Sequence, residues 1–298
     1  MSPPTYDRSD PPHDRYAGEV RGHRAEAVGA VRRFVRAGDA VVHLSRSGPS
    51  GPGPFEPVVF LHSLGTDHRI WDAVAARLPG RATIRLDLPG HGLSDAPREP
   101  TTIADLASVV LATLDVEGVR RATIAGLSLG GQIGLRLALD APERIEALVA
   151  MDSGAKLGTE ADWNHRIETT LRDGMEAAAP EIFARWFHPE FASREPATAH
   201  GIRTLLARTP AVGYAACCRA LRDEDLRSRL REVTAPTLVL CGDADRSTPP
   251  HEVRAFAAAI PGARYEEIAG AGHQICVERP EAVADAVDRF LGALGPEA

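Results

Sequence analysis

Gly126-Leu127-Ser128-Leu129-Gly130-Gly131 sets a serine between glycines at the spacing G-x-S-x-G. On a sharp turn from a strand into a helix, such a serine lifts its hydroxyl clear of the sheet. The flanking glycines let neighbouring backbone approach without Cβ clashes. The helix that follows points its N-terminus at the same place, where backbone N–H groups stabilise a developing oxyanion. This is equipment for nucleophilic attack on a carbonyl carbon. The short pattern is common in unrelated chains, so its meaning depends on a strand before it and a helix after it.

A serine hydroxyl needs a base, and the base needs a group that orients it. Around this kind of turn the order along the chain is serine, acid, histidine. His273, in Gly270-Ala271-Gly272-His273, follows the last expected strand and is the candidate base; His251, after Pro249-Pro250, reads as a packing or solvent residue. Three carboxylates are candidates for the acid: Asp243 and Asp245 in the loop 242–249, and Asp152 just past the preceding strand. The loop must travel a few residues to face a histidine, which favours Asp245, whereas Asp243 suits a turn cap. The oxyanion needs two donors. The N–H of Leu129 is one, and the N–H of Leu64, in His62-Ser63-Leu64-Gly65, is expected to be the other. His62 and His91 read as scaffold histidines that hold these loops by hydrogen bonds.

These residues require a sheet with the loops at one end. Apolar or alternating runs at 31–35, 40–45, 58–62, 82–88, 122–127, 147–151, 237–241 and 264–268 read as strands. Helical patterns fall at 67–78, 103–114, 131–139, 251–260 and 280–294. Alternation of this kind implies an α/β fold, a mostly parallel sheet with helices on both faces. Between 152 and 234 the alternation stops. Helical patterns at 160–172, 177–187, 198–207 and 221–231 replace it, too many for a crossover. The expected division is therefore a core of 26–152 and 235–298, with a helical cap, 153–234, inserted after the sixth strand.

Composition narrows the function classes. The 298 residues are 44% apolar and 25% charged, with a net charge of −7, so a general attraction to nucleic acid or an anionic membrane is not expected. No apolar run approaches the ~20 residues of a membrane span. Cys217, Cys218, Cys241 and Cys276 lack metal-ligand spacing and read as buried thiols of a reducing compartment. Residues 1–25, rich in Pro, Arg, Asp and His, have no signal-peptide core and read as a disordered lead. The expectations are a cytoplasmic protein, no metal and no cofactor; nothing reports the oligomeric state.

Together HSLG at 62–65, DLPGHGLS at 87–94, GLSLGG at 126–131, G-x-x-D-x-x-T-P at 242–249 and GAGH at 270–273 resemble the α/β-hydrolase superfamily. More narrowly, the chain is similar to the 3-oxoadipate enol-lactonases of aromatic-compound degradation. The narrower signs are Ser63-Leu64-Gly65-Thr66-Asp67, Ala155-Lys156-Leu157-Gly158-Thr159, Trp163-Asn164, Arg185-Trp186-Phe187 and Gly213-Tyr214-Ala215-Ala216-Cys217-Cys218. HQICVE at 273–278 departs from the HLS-type continuation of that family. The resemblance implies Ser128, Asp245 and His273 as the triad and a small lactone bearing a free carboxylate as substrate. On a negative chain that substrate calls for a local cation, for which Arg166 is the first choice and Arg185 the second, with Trp163 and Trp186 as pocket walls. Other ester or lactone hydrolases and cofactor-free perhydrolases use the same three residues, and a non-catalytic binding protein of this fold is the alternative of another class. Dehalogenases and epoxide hydrolases place an aspartate where this chain has Ser128.

Overall fold

A computed structural model describes residues 30–49, 55–97 and 101–295 of the chain. The expected polar lead lies outside the described residues. Strands β1 (Val31–Ala37), β2 (Ala40–Ser47), β3 (Val58–Leu61), β4 (Thr83–Leu86), β5 (Ala122–Leu127), β6 (Ile145–Met151), β7 (Thr237–Gly242) and β8 (Arg264–Ile268) form one sheet in the order β1-β2-β4-β3-β5-β6-β7-β8. β2 is antiparallel to both its neighbours and the remaining pairings are parallel. The β1–β2 hairpin turns at Gly38, whose φ of +61° suits glycine.

Side-chain alternation explains why the central strands are apolar throughout. In β3, Val59 and Leu61 enter the core on one face of the sheet, while Val58 and Phe60 enter the core on the other. Helices α1 (Asp72–Ala75), α2 (Ile103–Val116) and α3 (Leu129–Asp140) precede β6. After β7 come α9 (Pro250–Ala259), α10 (Ile275–Glu278) and α11 (Pro280–Leu294). Between β6 and β7 lie α4 (Glu160–Asp173), α5 (Met175–Phe183), α6 (Phe191–Arg194), α7 (Pro196–Ala207) and α8 (Ala211–Asp223), with no strand among these described residues. The helical insertion after the sixth strand is thus present.

Two expected helices take another form. The pattern at 67–78 becomes a 3₁₀ turn, His68–Trp71, followed by α1 alone. Its buried Ile70, Trp71, Val74 and Leu78 carry the helical period, yet Pro79 disfavours helical backbone just before it. The pattern at 221–231 is not one helix. α8 ends at Asp223, Glu224 is extended, and the N–H of Leu226 donates to the Ala155 carbonyl at 2.9 Å, which draws the chain out of helical register. The missed helix α8 buries Tyr214, Cys217, Cys218 and Leu221. The helix expected over 177–187 stops at Phe183, leaving Arg185 and Trp186 on a turn.

β3 lies between β4 and β5, so the chain leaves it in one direction and returns on the other side. Such a reversal opens a crevice beyond the carboxyl ends of the strands. The loop 62–66 leaves β3 there, and Ser128 leaves β5 there. Among the described residues no helix is long and apolar enough to cross a membrane.

Candidate active site

Ser128 sits between β5 and α3 at φ 55° and ψ −110°, a conformation that non-glycine residues rarely adopt. The turn closes only because its neighbours lack side chains. A Cβ on Gly126 would overlap the Gly130 carbonyl, and one on Gly130 would overlap the Leu61 carbonyl. The Ser128 N–H donates to Met151 O at 2.8 Å, and Ser153 Oγ donates to Ser128 O at 2.8 Å. The serine is held by backbone and remains half-buried, while its neighbours on both sides are fully covered.

His273 and Asp245 are buried, and His273 Nδ1 lies 2.8 Å from Asp245 Oδ2. The same carboxylate accepts from Thr248 Oγ1 (2.5 Å), Ser247 N (2.7 Å) and Thr248 N (3.2 Å). These donors and the histidine outweigh its burial and hold the Asp245 carboxyl below the usual carboxylate range. Asp243 instead accepts from Gly270 N and Ala271 N, tying the β7 loop to the loop of His273. Asp152 is wholly buried beside Asp245. His251 lies exposed at the start of α9.

Ser128, His273, Ser63 and Leu64 line one cavity of about 60 Å³. Leu129 is the first residue of α3, so its N–H has no partner within the helix. The neighbouring loop is fixed by the two scaffold histidines. Leu88 N donates to His62 Nε2 at 2.9 Å, and His62 Nδ1 donates to Ser63 O at 2.8 Å. Gly65 N donates to His91 Nε2 at 2.9 Å. Both rings must be neutral to accept these bonds, and burial lowers both pKa values, that of His91 to about 3.

The pH consequence has a definite sign. An unfolded histidine takes up a proton near pH 6.5, whereas the folded rings refuse it. Stability is therefore complete above about pH 6.5 and declines as pH falls toward 3. We expect the unfolding free energy to drop in that window by up to about 1.4 kcal/mol per pH unit through His91, with His62 acting in the same direction. His91→Gln, which keeps an acceptor for Gly65 N but cannot titrate, should show a shallower decline in urea unfolding. Parallel curves for the two proteins would refute this role.

The helical insertion adds Trp163, Arg166, Arg185, Trp186 and Tyr214 to the cavity wall, along with Asp162, and Ser247 and Thr248 enter it from the loop after β7. Arg166 is half-buried with its guanidinium 5.1 Å from the Trp163 ring centroid. Arg185 is exposed at the rim, where Nη2 donates to Arg246 O at 3.3 Å. Trp163 anchors itself through Nε1, which donates to Leu157 O at 2.6 Å. Trp186 does more than form a wall, because its carbonyl accepts from His273 N (2.7 Å) and Gln274 N (3.1 Å).

Three residues escaped the sequence reading. Tyr214 is wholly buried in the wall, with its hydroxyl beside Arg166 and Cys218. Gln274 is also wholly buried, and Nε2 donates to Ser63 Oγ at 2.9 Å, joining the loop of His273 to the loop of Leu64. Its signal was the departure at HQICVE. Glu278 accepts from Gly272 N (2.7 Å) and His188 N (2.9 Å), and burial raises its pKa to about 7. Nothing local in the sequence marks its contact with His188, ninety residues away.

A strained serine between strand and helix and a buried His–Asp pair at a sheet switch point define a class. Residues 58–286 match the model of the Alpha/beta hydrolase family, and the chain belongs to that family. Among curated relatives, 3-oxoadipate enol-lactonase 1 of Acinetobacter baylyi is 33% identical over 246 residues, covering 82% of this chain and 92% of the relative. Among solved structures, an enol-lactonase from Burkholderia xenovorans LB400 superposes with a TM-score of 0.84 at 33% identity, covering 87% of this chain and 100% of that one. A thermophilic esterase from Thermogutta terrifontis gives 0.81 at 25% identity over 90% of this chain and 99% of its own.

Proposed function

We propose that this protein is a serine hydrolase that opens a small enol lactone carrying a free carboxylate, of the 3-oxoadipate enol-lactone type. The observation that carries the reading is one cavity holding Ser128, His273 and the half-buried Arg166 together. The similarity to two enol-lactonases supports it.

In this reading Ser128 Oγ attacks the lactone carbonyl as His273 takes its proton, and Asp245 stabilises the imidazolium. The N–H groups of Leu64 and Leu129 hold the oxyanion. The acyl–oxygen bond breaks and His273 returns the proton to the leaving group, which stays tethered to the acyl chain. A tethered alcohol would close the ring again. An enol becomes a ketone, a poor nucleophile, so opening runs one way. Water activated by His273 then cleaves the acyl-enzyme and frees Ser128. Residues 153–234 act as the cap that selects the acyl group, with Arg166 and the Tyr214 hydroxyl meeting the substrate carboxylate.

The direct test is turnover of 3-oxoadipate enol-lactone beside a neutral ester and a homoserine lactone. A kcat/KM for the enol lactone about 100-fold above the others supports the reading, a gap of about 2.7 kcal/mol. Preference for the neutral ester would overturn the substrate and keep the hydrolase. Arg166→Ala should raise KM for the anionic lactone about tenfold while leaving the neutral ester unaffected, and Tyr214→Phe should act in the same direction more weakly. Equal effects of Arg166→Ala on both substrates would remove Arg166 from carboxylate recognition. A plain carboxylesterase would use the same triad; Arg166 in the wall favours the anionic substrate.

A further inference from the structure

Asp152 has no role in the steps above, yet it lies against the His273–Asp245 pair. It directly follows β6 and is wholly buried, and its carboxylate lies within 4.8 Å of ligand atoms of both Asp245 and His273. Its φ is +44°; among the described residues only Ser128 shares a positive φ without being glycine. Strain of this kind persists where surrounding structure enforces it, and it gathers at functional sites.

The hydrogen bonds are lopsided. Asp152 N donates to Leu240 O at 2.9 Å, and Oδ1 accepts from Gly242 N at 2.8 Å, which ties the end of β6 to the end of β7. Oδ2 has no partner among the described residues. Asparagine would make the same bond to Gly242 through its Oδ1, so a merely structural role does not require an acid. The groups around Asp152 are Asp245 and Cys241 from β7 and the loop after it, His273 from the last loop, and Cys276 from α10. None is a permanent cation. Burial and the Asp245 charge hold Asp152 in its neutral, protonated form.

We infer that Asp152 is a second carboxyl serving His273, a positioning residue that stands behind Asp245 and orients the imidazole when Asp245 is absent. Removing Asp245 takes away one of the two causes that keep Asp152 protonated, its negative charge, and leaves burial as the other. Asp152 then gives its proton to solvent, and its freed carboxylate lies within 4.8 Å of a ring nitrogen of His273. The inference rests on the serine–histidine reading of the site, and loss of labelling in Ser128→Ala tests that reading separately.

The experiment follows the rate of fluorophosphonate labelling of Ser128, which requires no knowledge of the substrate, in wild type, Asp245→Ala, Asp152→Asn and the double variant across pH. Loss of the only acid of a triad costs about 10⁴-fold. With Asp152 in reserve, Asp245→Ala should lose about 10²-fold, and its pH profile should carry an ionisation that the double variant lacks. Asp152→Asn should cost at least tenfold more in the Asp245→Ala background than in wild type. Equal costs in the two backgrounds would overturn the inference. If the Asp152 variants fail to fold, Asp245→Ala alone decides, because a loss near 10⁴-fold with a single ionisation would also overturn it.

Discussion

Ser128→Ala is expected to lower kcat by about 10⁶-fold and to abolish fluorophosphonate labelling, without loss of the fold. The size follows from the chemistry. No other hydroxyl in the cavity wall stands on a strained strand-to-helix turn beside a first-turn N–H. Ser63 Oγ is engaged with Gln274, and the Ser247 loop wraps Asp245. Alanine keeps the backbone bonds of the turn, since the N–H of residue 128 still reaches Met151 O. Stability should therefore stay within about 1 kcal/mol of wild type, the scale of losing one hydroxyl. Labelling that persists in the variant would place the nucleophile elsewhere. An unlabelled wild type would favour a binding protein of the same fold.

The second large effect concerns the turn rather than the hydroxyl. In Gly126→Ala the new methyl group would overlap the carbonyl of Gly130 and press on the N–H of Gly131, both backbone atoms of the same turn. Backbone cannot step aside as a flexible side chain does, so β5 must part from α3 or Ser128 must leave its strained conformation. We expect a destabilisation of about 3 kcal/mol or more and, in whatever folds, labelling slowed by at least about 100-fold, the scale of a small misplacement of reacting groups. Gly292→Ala is the control. It lies within α11 with nothing near its new Cβ, and should stabilise by about 0.4–1 kcal/mol. Wild-type labelling by Gly126→Ala would show that the turn tolerates a side chain and that the overlap does not matter.

Much of the site was legible because its signals are local. Ser128 stands in a five-residue pattern, His273 in a glycine-rich loop, and Asp245 at a fixed distance past an apolar strand. The sheet was legible because its buried strands are mostly apolar, as in VVFL of β3. Helix ends were harder. The chain at 221–231 keeps a helical period, but one bond from Leu226 to Ala155 redirects it, and no sequence window contains both residues. Tyr214, Gln274 and Glu278 were hidden for the same reason. Each matters through a neighbour 48 to 211 positions away, and as isolated letters they are ordinary core or surface residues. Arg166 and Arg185 differ in burial, which no local pattern reports.

The Trp186 carbonyl decides which parts of this enzyme are exchangeable. Because it accepts from His273 and Gln274, and because Glu278 clasps Gly272 and His188 together, residues 184–188 are joined to the loop of the base as one jaw. α4 and α8, which bring Trp163, Arg166 and Tyr214, pack on each other and form the other jaw. New acyl preferences can therefore arise by redesigning α4 and α8, whereas transplanting 184–188 from a relative would also transplant the fit of its base. Chimeras cut at residue 184 should remain active; those cut between 186 and 188 should not.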